Sequence, residues 1–131
     1  MKLLAFADLH GRRWRDAARL VQDLRPDWVV LLGDMLPDFD TVPGTAHRAA
    51  CQTRFVADHG SAFTLPEVPI LAIRGNHEAE GWAIPVEWQG VPSALAARVV
   101  CWPESNQGKK TIPAHHPTAS PIVLSHWPPQ G

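Results

Sequence analysis

This chain is short of cysteine, of net charge and of long apolar runs, and each shortage removes a class of protein. Two cysteines, Cys51 and Cys101, do not make a disulfide framework. They read as reduced thiols of a cytoplasmic protein. No stretch approaches the roughly 20 consecutive apolar residues of a membrane span. Met1-Lys2, with the apolar residues after it, imitates a secretory leader. Its apolar run reaches only about five residues before Asp8, too few for the hydrophobic region of a leader. The expectation is a cytoplasmic protein with no membrane contact. A formal net charge of −1 offers no field to gather nucleic acid or an anionic surface, so nucleic acid is an unsupported partner. No internal repeat or low-complexity tract stands out.

What remains is an ordinary globular composition. Apolar residues make up 45% and charged residues 19% of the 131 positions, which fits one soluble domain spanning residues 1–131. A chain of this size buries about two-thirds of its unfolded surface. Thirteen prolines predict many loops and short elements.

One arrangement recurs. Val68-Pro69-Ile70-Leu71-Ala72-Ile73 runs into Arg74-Gly75-Asn76-His77-Glu78. Leu3-Leu4-Ala5-Phe6-Ala7 runs into Asp8-Leu9-His10-Gly11, and Trp28-Val29-Val30-Leu31-Leu32 into Gly33-Asp34. Pro121-Ile122-Val123-Leu124 runs into Ser125-His126. Short apolar runs bounded by turn signals read as strands buried on both faces. Ligands of open α/β sheets sit at the carboxyl ends of such strands. The reading is therefore four strands that deliver Asp8, His10, Asp34, Asn76, His77 and His126 to one edge of one sheet.

Between the strands, Trp14, Ala17, Ala18, Val21 and Leu24 recur at helical spacing, predicting a helix over residues 12–25 that Pro26 stops. The arginines on its other face read as solvated, although Arg12 and Arg13 stand near the site mouth and could meet phosphate. A second helix is expected over residues 46–58, closed by Gly60, with weaker apolar periodicity. Residues 35–44 read as a loop, with Asp38 and Asp40 read as solvated acids in preference to extra metal ligands. Residues 81–89 read as a lid or packing loop. A short helix from Pro92-Ser93 to Ala97 and a strand over residues 99–102 follow. Residues 103–121 show no periodicity, and Lys109 and Lys110 there read as solvated charge. His47 and His59 read as surface histidines. His115 and His116 read as non-ligands, because neighbours on a strand face opposite ways.

Asp-x-His, Gly-Asp and Asn-His-Glu are each common by chance. Jointly they are specific, because every motif closes a predicted strand and all the polar groups are of one chemical kind. Carboxylates, imidazoles and an amide oxygen suit divalent ions such as Mn, Fe, Zn or Ni. Charges clustered at strand ends also need something to pair them. Gly75 reads as serving the backbone turn. Glu78 has two readings, as a group that orients His77 or one that shapes the turn.

These motifs, with Leu124-Ser125-His126-Trp127-Pro128-Pro129, resemble the calcineurin-like metallophosphoesterase family in order and spacing over nearly the whole chain. The resemblance implies a β-sandwich flanked by helices. It implies two divalent metal ions: Asp8 and His10 on the first, Asp34 bridging both, Asn76 and His126 on the second. It implies His77 facing the phosphate and protonating the leaving oxygen as a phosphomonoester or phosphodiester is hydrolysed. Gly-Asp continues as Met35-Leu36-Pro37, unlike the protein serine/threonine phosphatases, which disfavours a phosphoprotein substrate. The family's downstream Gly-His-x-His element does not occur in these 131 residues. The expectation is thus the amino-terminal portion of the family fold, C-terminally incomplete. An open sheet edge would then invite a homo-oligomer. The alternative function is a non-catalytic binding or scaffold module.

Overall fold

The structure, a computed structural model, describes residues 1–38, 46–101 and 122–126. The chain runs β1 (Leu3–Phe6), α1 (Trp14–Leu24), β2 (Trp28–Leu31), α2 (Ala46–His59), β3 (Ile70–Ala72), β4 (Val99–Cys101) and β5 (Ile122–Leu124). Three short 3-10 helices lie at Gly60–Phe63, Val86–Trp88 and Ser93–Leu95. Strands β1, β2 and β3 form one parallel sheet in that order, with Leu4 opposite Val29 and Val30 opposite Leu71. This is an α/β fold.

Central placement explains the composition of β2. Its four residues are all buried, since both edges are paired and both faces covered. Val29 and Leu31 join Ile70 and Ala72 in a core with α1 and the helical turn at Gly60–Phe63. Trp28 and Val30 join Leu71 and Ile73 in a second cluster with Leu95 and Leu124. Alternate residues of one strand therefore seed both clusters.

Helix α1 buries Trp14, Ala17, Ala18 and Val21, the stripe that an amphipathic helix puts against a sheet. It ends as Arg25 turns left-handed at φ 42° and its N–H bonds Val21 O at 3.0 Å. The Lys2 ammonium caps the Leu24 carbonyl at 2.7 Å. An aromatic knot fills the space beneath: the Trp14 ring centroid lies 4.5 Å from Phe63, 4.9 Å from Phe55 and 6.2 Å from Trp88. Trp82 and Trp88 are 3% and 2% exposed, so residues 81–89 pack and do not form a lid. Main-chain contacts from residues 89 and 90 also cover the far edge of β3: Gln89 bridges Leu71, and Gly90 N donates to Ile70 O at 2.7 Å.

One expectation is corrected. The strand ending at His126 does not extend the sheet of β1, β2 and β3. It pairs in parallel with β4 in a separate two-stranded sheet. Leu124 belongs to the second cluster, and this packing brings its end beside the main sheet. Asp40, residues 103–121 with His115 and His116, and residues 127–131 lie outside the described residues. Among the described residues no helix is long and apolar enough to cross a membrane.

Candidate metal centre

The site begins where β1 and β2 stop. Pairing continues past the strands: Asp8 N donates to Gly33 O at 3.1 Å, His10 N to Asp34 O at 2.8 Å and Gly11 N to Met35 O at 2.8 Å. The backbone between them is not extended. Asp8, His10 and Asp34 have φ of 56°, 48° and 53°, and they are three of the six non-glycine residues with positive φ among those described. Such conformations cost on the order of 1–3 kcal/mol each and persist where the surroundings over-determine them. Here a ladder of amide bonds to the neighbouring loop holds them.

Two glycines let the loops touch. A Cβ on Gly75 would stand 2.1 Å from Asp34 Oδ1 and 2.4 Å from Asp34 N. Gly75 therefore serves a close approach, and not the turn expected of it. Gly33 has φ +92°, and a Cβ there would meet Gly75 Cα and His126 Nδ1 at 2.7 Å. Arg74 folds back to donate to the carbonyls of Ala79 and Trp82.

Glu78 ties these loops together. Its carboxylate is 7% exposed. Oε2 accepts from Asp34 N at 2.9 Å and Gly75 N at 2.6 Å, while Oε1 accepts from Met35 N at 2.7 Å and Leu36 N at 3.2 Å. Of the two readings of Glu78, turn shaping is the one the geometry carries.

The functional side chains converge in two groups. Ligand atoms of Asp8, Asp34 and His126 lie within 4.8 Å of one another, as do those of His10, Asp38 and His77. Asp34, 4% exposed, joins the groups: its Oδ2 is 3.1 Å from His126 Nε2 and 4.0 Å from His10 Nε2. Its Oδ1 accepts from His77 N at 2.8 Å. Asn76 Oδ1 is 3.1 Å from His126 Nε2. All six residues singled out in the sequence thus meet at one place.

The donor set fits a divalent cation. His126 Nδ1 lies 2.7 Å from Leu32 O. A carbonyl only accepts, so Nδ1 carries the proton, and in the neutral form of His126 the lone pair sits at Nε2. That lone pair faces a carboxylate oxygen and an amide oxygen, both 3.1 Å away. In that form three electron-rich atoms are directed at one another, an arrangement that a cation between them would relieve. A second-sphere carbonyl fixing the tautomer is the usual support for a metal-binding imidazole.

Asp38 corrects the sequence reading. Its side chain is 12% exposed, not solvated, and it bonds His77 Nδ1 through Oδ2 and stands 3.3 Å from His10 Nδ1 through Oδ1. The His10 and His77 rings meet edge to face at 4.9 Å. Its one signal in the sequence was position, in the loop directly after the Gly33-Asp34 strand end. Asp8, Leu9, His10, Arg12, Arg13 and Asp38 line a cleft of about 450 Å³ that opens to solvent.

These features define an α/β protein with a candidate metal centre at the carboxyl ends of parallel strands. The chain belongs to the calcineurin-like phosphoesterase family, whose model matches residues 1–129. The family is one of metal-dependent hydrolases of phosphate esters. No curated protein and no solved structure matches the chain.

Proposed function

We propose that this domain, spanning residues 1–131, hydrolyses a phosphomonoester or phosphodiester in the cytoplasm with two divalent cations. Asp8, His10 and Asp34 would hold one ion, and Asp34, Asn76 and His126 the other. The observation that carries this reading is Asp34, whose Oδ2 lies 3.1 Å from His126 Nε2 and 4.0 Å from His10 Nε2, within reach of the ligands that either ion would use. When bound, such ions supply Lewis acidity: they acidify water and neutralise charge on the phosphoryl oxygens.

His77 is assigned the proton transfer. Asp38 engages Nδ1, which leaves Nε2 to face a substrate, and the side chain is 40% exposed. Water adds its oxygen to phosphorus and gives up one proton, the bond from phosphorus to the leaving oxygen breaks, and that oxygen takes the Nε2 proton, which the proton released by water replaces. Arg12 and Arg13 line the same cleft as Asp8, His10 and Asp38, which favours an anionic group there.

The test combines metal content and turnover. Wild-type protein should carry stoichiometric Mn, Fe, Zn or Ni by mass spectrometry and hydrolyse a nitrophenyl phosphate ester. Asp34→Asn should lose metal. His77→Ala should keep metal and lose about 10²–10⁴-fold in turnover of esters with poor leaving groups. Wild-type protein without metal and without turnover would instead be a binding module.

A further inference from the structure

Helix α2 buries polar side chains where its inner face should be apolar, which is why its periodicity is weak in the sequence. Gln52 is 0% and Arg48 3% exposed, and their spacing of four puts both on one helix face. Both reach the loops that carry Asp38 and His77. Gln52 Nε2 donates to Pro37 O at 3.2 Å and to His77 O at 3.1 Å, and Oε1 accepts from Ala79 N at 2.8 Å. Arg48 donates to Asp38 O at 3.0 Å and, at 3.5 Å, to His77 O. The main-chain carbonyls of both members of the Asp38–His77 pair therefore end on α2.

We infer that Arg48 and Gln52 are positioning residues for proton transfer, fixing the Asp38–His77 pair where the leaving oxygen must be protonated. The inference rests on the phosphoesterase reading and deepens it. It follows from a division of labour between two buried groups. Glu78 binds the amides of residues 34, 35, 36 and 75, which carry the metal side of the site. Arg48 and Gln52 bind residues 37, 38, 77 and 79, which carry the acid. A core amide that spends three bonds on two functional loops restricts where those loops sit. A displaced general acid matters only when the leaving oxygen is basic. A nitrophenolate departs without a proton, and an alkoxide does not.

The experiment uses Gln52→Met, Arg48→Lys and His77→Ala, each loaded with Mn. Each is assayed on a nitrophenyl ester and an alkyl ester of the same phosphoryl group. For Gln52→Met and Arg48→Lys, kcat on the alkyl ester falls about 10–100-fold and kcat on the nitrophenyl ester less than about 3-fold, with KM and metal per chain unchanged. Combined with His77→Ala, Gln52→Met adds no further loss on the alkyl ester, because both act through one group. Equal losses on the two esters would reduce these residues to general supports, and undiminished alkyl-ester turnover in folded variants would remove any role; either result overturns the inference. Should Gln52→Met fail to fold, Arg48→Lys decides. Wild-type protein inactive on both esters overturns the phosphoesterase reading itself, and the positioning role falls with it.

Discussion

Replacing Glu78 by glutamine tests whether one carboxylate holds the site together. The substitution keeps shape and volume but exchanges one oxygen for an NH₂ group. Each oxygen of Glu78 serves two amides, Asp34 and Gly75 on one, Met35 and Leu36 on the other. However the new amide turns, two N–H donors meet a donor in a site 7% exposed, where water offers little replacement. A hydrogen bond to a charged group contributes about 1.5–3 kcal/mol, so two lost bonds cost about 3–6 kcal/mol. Domains of this size have only about 5–15 kcal/mol in total. Urea denaturation followed by circular dichroism measures the difference, with the exposed Glu80→Gln as a control expected within about 0.5 kcal/mol of wild type. A Glu78→Gln protein within about 1 kcal/mol of wild type would refute the claim that this carboxylate is what ties the loops.

Three further outcomes are expected. Gly75→Ala places a methyl 2.1 Å from Asp34 Oδ1; the two loops must separate, and metal per chain measured by mass spectrometry should fall well below wild type. His126→Ala removes the imidazole 3.1 Å from Asp34 Oδ2 and should weaken binding of one ion, read as a drop in stoichiometry under metal titration, while the melting midpoint in chelator stays close to wild type. Trp88→Ala empties a site 2% exposed against Trp14 and Gly60 and should cost about 3–5 kcal/mol in the same urea experiment.

How much of this was legible beforehand depends on the kind of signal. The strands were, because Leu3–Phe6, Trp28–Leu31, Ile70–Ala72 and Ile122–Leu124 are short apolar runs bounded by turn signals, but burial on both faces holds only for β2 and β3, since Leu3 and Ala5 of β1 are exposed and Ile122 and Val123 half-buried. Helix α1 was, because its apolar residues keep a 3.6-residue period. The convergence of Asp8, Asp34 and His126 followed from their places at strand ends. Which sheet holds the last strand was not legible, since Ile122-Val123-Leu124 fits either and only its pairing with β4 decides. The conformations of Asp8 and His10 were hidden as well, because positive φ at Asp or His leaves no compositional mark comparable to glycine. Asp38, Arg48 and Gln52 were missed for one physical reason. A polar residue in a loop or on a helix reads as solvated unless its partner, far away in sequence, is known: Arg48 meets His77 across 29 residues and Gln52 meets it across 25.

The grip of Glu78 has a kinetic consequence. Its four amide partners come from two segments that are far apart along the backbone. Deuterium cannot reach one of those protons without loosening the shared anchor, so their exchange lifetimes are linked. The amides of residues 34, 35, 36 and 75 should therefore exchange as one unit, which native-state hydrogen exchange would read as a single shared protection.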